Sequence, residues 1–270
     1  MSLLRVEVRR QARRKRTLAV ALALVGIPIL LAVVLLVTGG TTASAGQQPM
    51  LVDVATLSGA NFALFAVATI ANLLLIIVVA LVAGDPVSSE ASWGTLRYLL
   101  VRPVPRGRLL STKLSVAVLS ALLAVLIVPV VALTAGTLCF GWHGLTTPLG
   151  SSLSIGASLR VLALTTGYVA TQLSFVAAVA FWFSVRTDAP LGAVGGAVLV
   201  VILSNVLDAV TSLGAVRVAF PTHYAFSWFG LLQSPQQTAN MVRGIALQVP
   251  WTVIPLVLAW RRFARTDILS

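Results

Sequence analysis

Long stretches without a charged residue are the feature of this sequence that most limits what it can fold into. Charged residues make up 10% of its 270 residues and hydrophobic residues 58%, whereas soluble domains carry about 25% charged residues. A membrane-crossing helix needs about 20 mostly apolar residues. The sequence therefore predicts an all-α polytopic membrane protein and excludes an ordinary soluble enzyme or a disordered chain. Six mostly apolar stretches have about this length, the fourth and sixth with one arginine near their start: 18–37, 61–83, 114–138, 159–183, 189–207 and 242–260.

Basic residues cluster between these stretches and predict their orientation. The chain has 19 Lys and Arg residues against seven Asp and Glu residues, a net charge of +12. Sixteen of the 19 lie in the N-terminal segment, the connections after the second and fourth stretches, and the C-terminal segment. By the positive-inside rule, both termini and these two connections are predicted to be cytoplasmic. The clusters also suit anionic lipid headgroups, and we expect no nucleic-acid partner.

The first stretch resembles a secretory signal peptide, because a basic segment precedes it and Ala43-Ser44-Ala45 follows it. Its length, however, exceeds the roughly 7–15 residues typical of the apolar part of such a peptide. We therefore expect an uncleaved first helix, and a single transmembrane domain that takes in residues 1–270.

Sequence patterns for most site chemistries are absent. The chain contains no Gly-x-x-x-x-Gly-Lys-Ser/Thr, no His-Glu-x-x-His and no Gly-x-Ser-x-Gly, the patterns of nucleotide-binding ATPases, zinc proteases and serine hydrolases. Its single cysteine, Cys139, excludes an intrachain disulfide. We therefore expect no catalytic, cofactor-binding or metal-binding residue, and no enzyme activity in this chain alone.

Polar residues within or beside the spans are candidates for a substrate path, because polar groups are costly inside a bilayer and are often functional there. Asn72, Gln172 and Asn205 either hydrogen-bond between helices or line a cavity. Asp208 ends the fifth span, where it either lines the path or makes a helix-end contact. Residues 211–240 are aromatic but too broken to span, and we expect a re-entrant or interfacial hairpin there on the outer side.

The connection at 85–113, after the second span, carries the most informative pattern. Asp85 followed by Pro86 is typical of an N-cap with proline in the first helical position. Glu90 then suits the positive end of the helix dipole. The pattern predicts that a cytoplasmic helix starts here.

An apolar stripe continues this predicted helix. Trp93, Leu96 and Leu100 recur at helical spacing, and Pro103 and Pro105 end the helix. A short amphipathic helix of this kind either lies on the lipid surface or docks onto a cytoplasmic partner, and the residues alone leave both interpretations open.

The same segment resembles the signature of type-2 ATP-binding-cassette (ABC) exporter permeases. The six spans, the basic N-terminal segment and the Arg-Arg-Phe-Ala-Arg-Thr-Asp tail at 261–267 agree with it. Pro105 departs from the pattern at a position where serine is more usual. The residues that carry the resemblance are Glu90-x-x-x-Gly94-Thr95-Leu96-Arg97-x-Leu99-Leu100-x-Arg102-Pro103-Val104-x-Arg106-Gly107-Arg108-Leu109-Leu110-x-x-Lys113.

The resemblance implies a multi-pass permease subunit of a bacterial plasma membrane, without an ATPase of its own. Two separate cytoplasmic ABC ATPase subunits would bind ATP and Mg, and a second permease copy or a related permease would complete the complex. Residues 1–17 would form an amphipathic interface helix, and the helix in 85–113 would be the coupling helix. The residues expected to couple to the ATPase are Glu90, Trp93, Gly94, Thr95, Leu96, Arg97, Arg102, Pro103 and Arg106.

The expected cargo is a drug, lipid or other amphipathic molecule, as in multidrug export, because the spans contain almost no charged residue. A secondary transporter or channel that works without ATP is the main alternative. A proton- or sodium-coupled transporter normally needs a carboxylate near the middle of the membrane, and the predicted spans contain none there. Transport that survives without nucleotide would identify this alternative. A membrane-embedded enzyme and a structural or sensory membrane partner are further alternatives.

Overall fold

The computed structural model describes residues 11, 14–39, 50–92, 106–148 and 150–265, and this part of the chain is helical. Within it, the only strand-like pairing is an isolated antiparallel bridge between Thr146 and Ser152. Short 3₁₀ helices lie at Ala55–Leu57, Thr211–Ala219 and Ser227–Leu232. The α-helices are α1 Lys15–Thr38, α2 Gly59–Ala71, α3 Leu74–Ser92, α4 Arg106–Phe140, α5 Ile155–Gln172, α6 Ser174–Arg186, α7 Pro190–Ala209 and α8 Ala239–Arg265.

Five helical segments of the described chain are long and apolar enough to cross a membrane: α1, α4, α5 together with α6, α7, and α8. Helices α2 and α3 pass the same test together, but they are bent by 57° at residues 72–73. Each of the six predicted apolar stretches lies within one of these segments, except that the fifth begins one residue before α7. The prediction of an all-α chain with apolar spans is confirmed for the described residues, with five candidate spans, or six if the bent pair counts as one.

Helix α3 lies at the centre of the bundle. It packs against α4, α6 and α7, while α8 packs against α6, and α1 and α2 pack against α4. Leu75, Val78 and Val82 of α3 are all buried. By contrast, the buried residues of α1 form one narrow stripe of Leu24, Pro28, Ala32 and Leu35, and most of its other apolar side chains are exposed, as in a lipid-exposed helix.

Small residues allow α2 and α4 to approach closely. The backbone N–H of Gly59 donates to the carbonyl of Gly141 (2.9 Å). A Cβ added at Gly59 would lie 2.7 Å from the backbone nitrogen of Thr137, and one added at Gly136 would lie 2.8 Å from the ring of Phe62. Neither glycine can be enlarged without moving a helix, a form of packing that is common between membrane helices.

The predicted helix start at Asp85 is wrong, because α3 continues without interruption from Leu74 to Ser92. Pro86 lies inside the helix, where its ring removes one backbone donor and crowds the preceding turn. The next two N–H groups, those of Val87 and Ser88, donate to the hydroxyl of Ser184 on α6. A neighbouring helix thus stabilises the distorted turn, as is usual for proline in membrane helices.

Most of the predicted interface helix at 1–17 lies outside the described residues. So do seven of the predicted coupling residues: Trp93, Gly94, Thr95, Leu96, Arg97, Arg102 and Pro103.

Candidate functional site

Two polar regions lie at opposite ends of α3. We call the first the loop root, which consists of Asp85, Glu90, Lys113 and Ser184. It lies where α3 and α4 meet residues 93–105. The second is a cavity at the other end of α3, next to the bend after Ala71.

A buried ion pair forms the centre of the loop root. The Glu90 carboxylate lies 2.6 Å from the Lys113 ammonium group, and the two side chains are 0% and 2% exposed. Lys113 Nζ also donates to the backbone carbonyl of Pro86 (2.9 Å). Since an unpaired charge is very costly in an apolar interior, each group depends on the other. The pair therefore fixes the end of α3 to the start of α4.

The basic N-terminal segment joins the loop root through Asp85. This carboxylate pairs with Arg14, and its other oxygen lies 3.5 Å from Arg16 Nη1. Arg14 Nη1 also donates to Ser89 Oγ (3.4 Å). Two acidic residues on successive turns of α3 therefore hold both the segment before α1 and the start of α4.

Ser184 connects α6 to the loop root. Its hydroxyl oxygen accepts from the backbone N–H of Val87 (3.2 Å) and of Ser88 (3.0 Å), and it is 1% exposed. Helix α6 thus supports α3 at the turn that Pro86 distorts.

We predict that Ser184→Ala lowers the free energy of unfolding by about 1 kcal/mol, because two buried N–H groups lose their side-chain acceptor. SDS titration of the purified chain in mixed micelles, followed by circular dichroism, measures this change. Ser115→Ala is the matched control, since this exposed helical serine only donates to the carbonyl of Ser111 and its replacement should change little. Equal effects of the two substitutions would contradict a supporting role for Ser184.

Of the predicted coupling residues in the described chain, Glu90 lies in the loop root, and Arg106 begins α4. The pairing of Glu90 with Lys113 was not predicted, although both residues belong to the motif. The sequence did contain a signal for this pair, since Glu90 and Lys113 have opposite charges and flank the same connection between two apolar spans. Ser184 gave no such signal, because an isolated serine in an apolar span is common.

At the other end of α3, three of the predicted path residues come together. Asn72, Gln172 and Asn205 line one cavity of 70 Å³, together with Thr222 and apolar side chains. Asn72 lies at the bend between α2 and α3. Gln172 ends α5 directly before the joint with α6. Two interrupted spans therefore meet at this cavity.

Residues 211–232, which we call the capping segment, lie against this end of the bundle and are held by buried side chains. Tyr168 Oη donates to the carbonyl of Tyr224 (2.6 Å). Gln248 Nε2 donates both to the carbonyl of Pro221 (2.7 Å) and to Gln172 Oε1 (2.6 Å). Helices α5 and α8 thus share one hydrogen-bond network with the capping segment.

Asp208 does not line the 70 Å³ cavity. Its carboxylate lies 2.5 Å from His223 Nδ1 and 3.7 Å from Arg217 Nε. Asp208 therefore joins the end of α7 to the capping segment. Of its two predicted roles, lining the path or making a helix-end contact, this geometry agrees with the helix-end contact. Sequence reasoning missed both partners because they follow Asp208 through an irregular segment that has no regular spacing.

Within the described ranges, no group of three or more His, Cys, Asp or Glu side chains is arranged to hold a metal ion. A family model described as "Protein of unknown function (DUF2705)" matches residues 29–269, which is most of the chain. Comparison with curated proteins gives no match.

Proposed function

We propose that this chain, which belongs to the DUF2705 family, is the permease subunit of an ATP-driven exporter of the ABC type. In this proposal the bent pair of α2 and α3 is one span, which gives six spans with both termini and the loop root on the cytoplasmic side of the plasma membrane. ATP and Mg bind to a separate ATPase subunit, present twice in each complex beside a second permease. The observation that carries the proposal is the buried Glu90–Lys113 pair at the base of a segment with the coupling-helix pattern.

The loop root has the mechanical property that a coupling element requires. A push on residues 93–105 cannot be absorbed by separating α3 from α4, since that would expose Glu90 and Lys113 without their partners, at a cost of several kcal/mol. The displacement passes instead along α3, which has 19 residues and is therefore about 28 Å long. It arrives at the bend beside Asn72 and at the 70 Å³ cavity. One continuous helix, held by Ser184 at the turn that Pro86 distorts, thus joins the proposed ATPase side to the candidate path.

The amino-acid sequence of residues 93–105 has the composition of a docking element. Trp93 and Leu96 would insert into a cleft of the ATPase, and Arg97, Arg102 and Arg106 would make polar or ionic contacts around it. Aromatic and arginine side chains carry much of the energy of protein interfaces. An amphipathic helix that only lay on the lipid would need no buried ion pair beneath it, whereas a helix that transmits force does.

We predict that the full-length chain, purified from its native membranes, brings an ATPase subunit with it in equal amount. Trp93→Glu combined with Arg97→Glu should weaken this association roughly thirtyfold or more, because the loss of one central interface aromatic typically costs at least about 2 kcal/mol. The amount of co-purified ATPase and the nucleotide hydrolysis in the eluate measure the effect.

Trp142→Glu combined with Arg160→Glu is the matched control, because it makes the same charge change at exposed positions away from the loop root. The control should retain the ATPase. Unchanged association of the Trp93 and Arg97 double variant would overturn the coupling role. Transport that continues without any nucleotide would favour the secondary transporter or channel instead.

A further inference from the structure

A larger and mostly apolar cleft adjoins the 70 Å³ cavity. The cleft has a volume of 770 Å³ and shares Ala68, Asn72 and Phe226 with the cavity. Its walls include the rings of Phe65 and Phe229. The two spaces therefore adjoin along these three shared residues, with a wide apolar space on one side and a narrow polar one on the other.

Amide groups without a protein partner line the polar end. Gln172 is 7% exposed; its Oε1 accepts from Gln248, and its side chain also lies within hydrogen-bond reach of the Tyr168 hydroxyl, which leaves at least one N–H of Nε2 without a partner among the described residues. The side chains of Asn72 and Asn205, which line the same cavity, make no hydrogen bond within the described part of the chain. A buried donor without a partner is costly, so Nε2 of Gln172 calls for an acceptor from outside the protein.

Among the described residues, the lining of both spaces contains no charged side chain. A charged ligand group would therefore enter without a counter-charge, which is strongly unfavourable in an apolar site. Water would satisfy Gln172 but would gain nothing from the aromatic walls of the cleft. A molecule with an apolar body and an uncharged oxygen acceptor satisfies both parts.

We propose that this site binds an uncharged amphipathic molecule, with an ester, amide or hydroxyl oxygen held by Gln172 and Asn72 and its apolar body in the cleft against Phe65 and Phe229. That this molecule is the transported cargo rests on the proposed permease function, whereas the binding itself does not.

Trp228 provides a direct measurement, because it lines the cavity and is 2% exposed. The full chain in detergent is titrated with a monoacylglycerol whose acyl chain is brominated, since bromine quenches nearby tryptophan fluorescence. The difference between wild type and Trp228→Phe isolates the Trp228 signal. We expect saturable quenching of that signal, and at least tenfold weaker binding of the brominated fatty acid with the same chain, because its carboxylate is charged.

Asn72→Leu should weaken monoacylglycerol binding about fivefold, as expected for one lost hydrogen bond, while binding of the fatty acid changes little. Asn72 makes no protein hydrogen bond in the described chain, so this variant avoids the Gln172–Gln248 network and should keep its fold. Gln236→Leu is the matched control, because this exposed side chain lies outside the lining of both spaces.

Equal affinity for both lipids, quenching that does not saturate, or an unaffected Asn72→Leu variant would each overturn the proposed site. The titration needs no ATPase. Loss of binding would therefore leave the coupling proposal standing, and failed co-purification of an ATPase would leave the binding site standing.

Discussion

Replacing Lys113 with Met is expected to lower the free energy of unfolding by about 3–5 kcal/mol, the effect of removing one partner of a buried ion pair. The Glu90 carboxylate, which is 0% exposed, would lose the ammonium group 2.6 Å away. The carbonyl of Pro86 would lose the same donor. SDS titration in mixed micelles, followed by circular dichroism, measures the change.

A double variant separates lost charge pairing from lost packing. Glu90→Gln combined with Lys113→Met leaves no buried charge at this position, and replacing both members of such a pair is often close to neutral. We therefore expect it to recover most of the stability lost in Lys113→Met. Arg108→Met is the matched control on the same helix, since Arg108 is exposed. A double variant as unstable as the single one would contradict the interpretation of the pair as mutually dependent.

The same variants test the mechanical role of the loop root. If the proposed permease function holds, a Glu90→Gln, Lys113→Met protein that folds and binds the proposed ATPase, yet transports poorly, would show that the charges resist separation of α3 and α4 under load. Normal transport would mean that apolar packing alone transmits the displacement.

The apolar spans were predictable because the bilayer fixes their length and composition. The bend between α2 and α3 was not. Residues 71–74 contain neither proline nor glycine, the residues that usually mark a helix break. The bend depends on tertiary packing, which has no local signature in the sequence.

At Asp85 and Pro86, by contrast, the sequence predicted a helix start that the structure does not have. These residues are typical of a helix start, but in an apolar bundle a neighbouring helix can stabilise a proline-distorted turn, and the hydroxyl of Ser184 does so here. A local pattern could not reveal a partner 96 residues later.

The candidate path was partly predictable. Asn72, Gln172 and Asn205 share one cavity, although only Gln172 is buried and both asparagines are exposed. Asp208 lies apart from that cavity because His223 and Arg217 pair with it. Polarity thus identified three residues that line one cavity, but it did not separate them from Asp208, which pairs with the capping segment instead.

The second large effect is expected for Gly59→Ala, which should lower the free energy of unfolding by about 2–3 kcal/mol through overpacking. The added methyl group would lie 2.7 Å from the backbone nitrogen and 2.8 Å from the Cα of Thr137. Backbone atoms inside α4 cannot rotate aside, so α2 must move away from α4. That movement would also stretch the hydrogen bond from Gly59 to the carbonyl of Gly141.

Gly26→Ala is the matched control for this substitution. Nothing lies within 4 Å of a Cβ added at Gly26, which is in the interior of α1, so the change should stabilise the helix by about 0.5–1 kcal/mol. The two variants thus make the same chemical change with opposite expected signs. Because α2 carries Phe65 and leads to Asn72, its displacement should also weaken monoacylglycerol binding. Similar stability of the two variants would show that α2 and α4 do not pack as closely as Gly59 and Thr137 indicate.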